Sequence, residues 1–489
     1  MVFNSIHFAL FFLAFYALYR VLPRRPQNWL LLVASYYFYA AWDWRLLGLI
    51  VATTGVDFLC GRLMSGGATD RQRRRALYAG VLFGLAVLGF FKYFGFFAEN
   101  LRALLALVGW QVDAVTLHVV LPIGISFYTF TAMSYIVDVY RRQIEPTDDL
   151  LGFAVFVAFF PTVLAGPILR AGQMLPQLES RRVVSRDQFR EGVWLILWGL
   201  AKKMFMADNL APIASAALAT GANPTGFEVL LAVYAYAFQI YGDFSGYSDI
   251  ARGLAKLMGL ELPVNFRFAY FVRNPQAFWQ HWHITLSTWL RDYLFLPLSF
   301  SYSRRLDGVR WLGFRDDVWI YAAATLVTML LAGLWHGAAW SFVLWGLYQG
   351  VLLVAYRFAR VARTQRRRRT RRGSRGRLAA GLSVLVMFHL TCLGWLVFRA
   401  ESVGQMGAFV VRLVADFQPS VVSWKQFGWS LLFYTLPLLA VHALEARKDD
   451  LAIVLRLQTA VRYSVYGTLI YLILLFGNFA GAQFIYFQF

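Results

Sequence analysis

VWIYAAATLVTMLLAGLWHGAAWSFVLWGLYQGVLLVAY, residues 318–356, runs for 39 residues without Asp, Glu, Lys or Arg, and its one ionisable group besides tyrosine phenols is His336. A membrane crossing needs roughly 20 mostly apolar residues, so this stretch is long enough for two. The same pattern recurs through the 489 residues. The chain is 59% hydrophobic and only 15% charged, with a mean hydropathy of +0.53, whereas soluble domains carry about 25% charged residues. The apolar runs are continuous rather than alternating, which argues against a transmembrane β-barrel. The expected fold is an all-α, polytopic transmembrane helical bundle, one domain spanning 1–489.

Thirteen apolar runs read as candidate segments: 6–22, 28–41, 44–63, 77–98, 118–137, 150–167, 190–206, 226–241, 318–335, 337–356, 379–398, 427–445 and 464–480. Some are too short to cross alone and read as re-entrant or interfacial, so about 11–13 membrane segments are expected. The first run has no basic stretch before it and no small-residue cleavage site after it, and reads as an uncleaved span. Cys60 and Cys392 lie in apolar stretches without metal-ligand neighbours and read as core residues.

The net charge of +21 points to topology rather than nucleic acid, because the arginines cluster in short segments between apolar runs. Loop 65–76 carries Arg71, Arg73, Arg74 and Arg75, and the basic loop 357–377 carries eleven arginines. Both are expected on the cytoplasmic side. The second loop also suits anionic lipid or, less economically, an anionic cytoplasmic donor.

Residues 240–316 mix polar and aromatic groups. Irregular backbone at membrane depth is tolerated where protein buries it or where it lines a wet cavity, so the site is expected here and at His336. Ionisable groups within a membrane are expensive and tend to be functional. Gly333 and Gly337 flank His336 and allow close approach, and Trp335 and Trp340 would wall it. The same residues also fit an interfacial histidine bonded to a carbonyl, with belt tryptophans. His281 and His283 would diverge on a helix, and no further ligand stands at zinc spacing. Asp243 could orient a histidine as a triad acid does. Asp243, Ser245, Tyr247, Ser248, Asp249 and Arg252 read equally as a structural network, with Asp249 and Arg252 a helical pair. His7, His118, His389 and His442 read as core or interfacial histidines.

FWQHWHITLSTWLRDYLFLPL (278–298) followed by LAGLWHGAAWSFVLWG (331–346) resembles the membrane-bound O-acyltransferase family, and within it the bacterial branch that modifies polysaccharides. LPIGISFYTFTAMSYIVDVYRR (121–142), VLAGPILR (163–170), YGDFSGYSDIARGLAKLMGLELPVNF (241–266), the opening MVFNS and the ending FIYFQF are also similar to it. LPLSFSYSRR (296–305) lacks the Gly-Gly that often follows the family's LPL segment, and His281 stands where relatives often carry Arg.

The resemblance implies a catalytic pair, His336 and His283, in a core of about 120–360 with a central funnel and tunnel. Supporting residues would be Asp243, Ser245, Ser287, Trp335, Trp340 and Arg291, with no metal. It implies acyl transfer from a cytoplasmic thioester, with acetyl-CoA as donor. His336 would act as base or carry the acyl group covalently, and His283 would position the acceptor or donate to the oxyanion. The implied partners are membrane lipid, a periplasmic SGNH-hydrolase-like acetyltransferase and a polysaccharide acceptor, at the bacterial inner membrane. D-alanyl transfer of the teichoic-acid type is the alternative within the family. A transporter or flippase with a proton relay, or an assembly scaffold, is the alternative outside it. The mechanism requires His336 to lie deep, which predicts that 318–335 or 337–356 is tilted, broken or re-entrant.

Overall fold

The computed structural model describes residues 1–111, 121–308, 310–367, 377–480 and 484–485. His118, most of the arginine tract of loop 357–377, and residues 486–489 of the FIYFQF ending lie outside the described residues. The described chain is helical apart from one two-residue-strand hairpin, in which Arg310 and Trp311 pair with Arg315 and Phe314. Its turn residues Leu312 and Gly313 both have positive φ, 49° and 77°, as the tightest right-twisting hairpin turn demands.

Among the described residues, seven helical stretches are long and apolar enough to cross a membrane: Arg24–Leu63, Asp70–Leu107, Asp316–His336, Trp340–Thr364, Leu378–Arg399, Val421–Lys448 and Thr459–Phe476. The protein is therefore a multi-pass membrane protein. The first stretch holds two helices, Arg24–Asp43 and Leu47–Leu63, broken where Asp43 turns extended. Other apolar runs form shorter elements. Leu150–Ala158 has nine residues, and Ile125–Tyr140 has sixteen, almost all buried. A helix buried on all sides, as the apolar Leu150–Ala158 is, belongs inside the protein.

The backbone divides into two compact units. The first comprises residues 1–196 and 247–263, the second 197–246 and 264–489. In the first, Gly124 takes a left-handed conformation (φ 75°) at the start of Ile125–Tyr140, and a β-carbon there would strike the Val163 carbonyl of the VLAGPILR turn. Arg73 donates to the carbonyls of Val139 and Tyr140 at 2.7 and 3.2 Å, capping the C-terminus of that helix. One arginine of the predicted topology loop thus also has a fixed structural partner. Asp249 and Arg252 form the expected helical pair, at 3.5 Å.

The second unit contains both candidate catalytic histidines. Its central feature is the antiparallel pair of helices Asp316–His336 and Trp340–Arg367. Neither helix is broken, which leaves tilt or re-entry as the ways this stretch could bring His336 to depth. Arg357 pairs with Asp317 at 2.9 Å, which puts the start of the first helix beside the basic end of the second. His336 therefore sits at the opposite tip, about 30 Å away at 1.5 Å per residue.

Candidate active site

Gly333 and Gly346 allow the two hairpin helices to touch. A β-carbon on Gly333 would meet the Phe342 carbonyl, and one on Gly346 would meet the Met329 carbonyl. The close approach allowed by Gly333 is thus taken by protein backbone. Gly337 is covered by the Phe342 ring in the same way. This tight turn carries His336 inward. Although at a helix tip, it is buried, with its ring 4.9 Å from Trp345, 5.3 Å from Phe398 and 5.0 Å from Trp335, centroid to centroid and edge-on.

His283 reaches the same indole from another element. Residues 280–283 form a turn between helices Pro275–Trp279 and Ile284–Leu290, so the two histidines of HWH are not on a helix. His283 caps the second helix with a left-handed backbone, φ 43° and ψ 54°, a conformation that costs a side-chain-bearing residue roughly 1–2 kcal/mol and that clusters at functional sites. It is fully buried. Phe244 stands edge-on at 4.6 Å, and Trp335 lies at 5.9 Å. One indole therefore stands beside both imidazoles, 5.9 Å from His283 and 5.0 Å from His336.

The residue that holds His283 is one the sequence reading passed over. Asn265 is buried, and its Oδ1 lies 3.2 Å from His283 Nδ1. The same oxygen accepts from the Thr285 N–H at 3.2 Å and the Thr285 hydroxyl at 2.8 Å. The backbone carbonyl of Asn265 accepts from Ile284 N–H at 2.9 Å. Burial pushes the His283 imidazole down to about 3, so it is neutral at physiological pH. His281 turns elsewhere. Its Nδ1 lies 2.8 Å from the Ala277 carbonyl, its ring packs 5.0 Å from Phe268, and burial lowers its proton affinity as well.

The other candidates divide. Ser287 stays close, its N–H donating to the His283 carbonyl at 2.9 Å and its hydroxyl to Trp282 O at 3.3 Å. Ser245 is fully buried one residue after Phe244. Asp243 orients neither histidine through any described contact. Its Oδ1 is 2.9 Å from Lys203 Nζ, and its Oδ2 accepts from Ile485 N–H at 2.6 Å. Lys203 also binds Asp208 at 2.7 Å. This buried charge cluster holds Ile485, the second residue of FIYFQF, to helix Gly226–Leu257. That helix is continuous through YGDFSGYSDIARG, where the sequence suggested irregular backbone. Trp340 is 55% exposed and Arg291 is exposed and paired with Asp292 at 2.8 Å, so neither encloses the histidines. Trp345 and Phe398, which pack against His336, lie 9 and 62 residues beyond it. No group of three or more His, Cys, Asp or Glu side chains among the described residues could hold a metal.

A sequence model of the membrane-bound O-acyltransferase family matches residues 146–397, a stretch that includes both histidines. The chain belongs to the membrane-bound O-acyltransferase family. It is 40% identical to a probable alginate O-acetylase of Azotobacter vinelandii over 89% of this chain and 84% of the relative. It is 31% identical to a peptidoglycan O-acetyltransferase of Helicobacter pylori over 78% and 72%. It is 26% identical to a teichoic acid D-alanyltransferase of Bacillus subtilis over 57% and 69%. The protein is accordingly an O-acyltransferase of the membrane, and its chemistry requires an acyl donor.

Proposed function

We propose that the protein moves an acetyl group from cytoplasmic acetyl-CoA, across the bacterial inner membrane, for O-acetylation of a periplasmic or exported polysaccharide. The observation that carries this reading is the placement of His283 and His336 beside one indole, in a family whose alginate and peptidoglycan acetylating members match most of the chain. His336 takes the proton of an acceptor hydroxyl as its oxygen attacks the thioester carbonyl. The C–S bond breaks and the departing thiolate recovers the proton, leaving an ester and a free thiol. A neutral imidazole suits this, because its ordinary proton affinity lies near neutrality, and such general-base assistance contributes about 10²–10⁴-fold. Trp345 and Phe398 exclude water from the reacting atoms, which protects the thioester from hydrolysis. The immediate acceptor is the serine hydroxyl of a periplasmic SGNH-hydrolase-like partner, which passes the acetyl group to the polymer.

If the basic loop faces the cytoplasm, His336 stands at the far end of its hairpin. This supports a donor that enters from the cytoplasm and an acceptor that approaches from the other side. The test is His336→Ala in membrane vesicles supplied with labelled acetyl-CoA. At equal protein level, transfer of label to polymer should fall by about 10²-fold or more, and undiminished transfer would overturn the assignment. The D-alanyltransferase similarity favours a second donor, and label transferred from D-alanyl thioester but not from acetyl-CoA would establish it.

A further inference from the structure

We infer that Asn265 is a positioning residue that locks His283 in its Nδ1–H tautomer, leaving Nε2 as a hydrogen-bond acceptor for the substrate hydroxyl. The inference rests on the acyl-transfer reading for its consequence, and on hydrogen bonding alone for the lock. The side-chain atom of Asn265 that faces Thr285 lies 3.2 Å from a backbone N–H. A backbone N–H only donates, so that atom is the amide oxygen and not the amide nitrogen. The same oxygen lies 3.2 Å from His283 Nδ1. Two lone pairs facing each other would repel, so Nδ1 carries the hydrogen. A neutral imidazole has one N–H, and Nε2 is then bare.

The choice of an amide also matters. The carboxylate of a serine-protease triad both orients its histidine and stabilises the imidazolium that forms. Asn265 orients without supplying charge. The rings described against His283 are uncharged: Phe244 from helix Gly226–Leu257, Phe266 beside Asn265, and Trp335 from helix Asp316–His336. Asp243, the nearest acid in sequence to Phe244, is committed to Lys203 and the Ile485 N–H. His336 follows Trp335, and His281 is engaged with the Ala277 carbonyl. A bare Nε2 on an uncharged ring accepts a hydrogen bond from a hydroxyl and cannot donate one to an oxyanion. The two roles that sequence left open for His283 are thereby reduced to one, positioning of the acceptor, with proton removal falling to His336. Asn265 also holds the left-handed turn, through its backbone carbonyl to Ile284 N–H and its side chain to Thr285.

The lock is read directly in a solid-state 15N spectrum of histidine-labelled protein in lipid at neutral pH, with His283 assigned by difference against His283→Gln. The expected result is a protonated Nδ1 and a bare Nε2. A protonated Nε2 in the wild-type protein overturns the inference whatever the variants do. Asn265→Leu fills the space without an acceptor, and Asn265→Asp keeps the acceptor oxygen. The expected order of kcat at pH 8 is wild type, then Asn265→Asp, then Asn265→Leu, the last reduced about 10–100-fold, as for other groups that orient a histidine, with donor KM little changed. A merely space-filling role predicts the opposite order of the two variants, since a buried carboxylate is worse tolerated than Leu. Absence of label transfer by the wild-type protein would sink the acyl-transfer reading while leaving the spectrum to decide the lock.

Discussion

Replacing Lys203 by Met tests the charge cluster that supports the helix behind the site. The ammonium lies 2.7 Å from Asp208 and 2.9 Å from Asp243, and the three side chains are only 10%, 2% and 4% exposed. Solvent does little to screen such a group, so a surface-pair value of below 1 kcal/mol does not apply. Removing one partner of a buried pair costs about 3–5 kcal/mol, because the remaining charge is stranded. The two carboxylates are not equally stranded. Asp243 keeps the Ile485 N–H at 2.6 Å, whereas Asp208 Oδ2 has no hydrogen-bond partner among the described residues. Most of the loss should therefore fall on Asp208, and Lys203→Met with Asp208→Asn should recover a large part of it. At 1.4 kcal/mol per factor of ten, a loss of this size felt in the unfolding barrier shortens the half-life of the folded protein by about 10²-fold or more. The assay is the folded fraction remaining in detergent micelles against time at fixed temperature, read by fluorescence-detected size exclusion. A half-life within about threefold of wild type for Lys203→Met would refute the reasoning. So would a double variant no more stable than the single one.

Two further outcomes follow from the packing and the electrostatics. Gly333→Ala drives a methyl group into the Phe342 carbonyl one turn before His336 and should destabilise by about 1–3 kcal/mol with a fall in acyl transfer. Gly381→Ala, in helix Arg377–Arg399 with open space around it, should be neutral or gain up to about 1 kcal/mol, with thermal stability and label transfer as the measurements. Below about pH 6.5 the unfolded chain protonates His283 while the folded chain, held down to about 3, does not. This contribution to stability is complete above pH 6.5 and is lost as pH falls, by about 1.4 kcal/mol per unit. The fall in thermal midpoint from pH 7 to pH 5 should be shallower in His283→Gln than in wild type, and equal slopes would contradict the buried neutral state.

The fold was legible where hydrophobicity alone decides it. The uncharged run 318–356 became the two hairpin helices, split at the Gly-Ala-Ala after His336, because a run of that length without charge has no other stable state in a membrane. Hydropathy was a poorer guide to crossings. Residues 150–158, LLGFAVFVA, are as apolar as a span yet form one short buried helix, since a helix enclosed by protein and a helix enclosed by lipid carry the same pattern. The helix through YGDFSGYSDIARG was misread because its polar residues suggested broken backbone. Gly242 and Gly246 there serve close contact with the neighbouring segment at residues 199–207, a π-helical stretch over Ala201–Ala207. Asp243 within it is satisfied by Lys203, forty residues earlier in sequence.

The candidate site was legible by residue type and not by geometry. Two histidines in tryptophan-rich settings could be named, but Trp345 and Phe398 could not, because nothing in an apolar run tells which rings face an imidazole. Asn265 was the least legible of all. Within VNF it reads as an unremarkable polar residue in a loop, and its role exists only where the chain returns 18–20 residues later to bring His283 and Thr285 to one oxygen. That convergence accounts for the otherwise costly backbone of His283. A left-handed turn is what lets a single amide face the ring nitrogen and the first turn of helix Ile284–Leu290 together. The strain and the orientation therefore have one cause. A substitution that relaxes the turn while keeping Asn265 should disturb the histidine as much as loss of Asn265 itself.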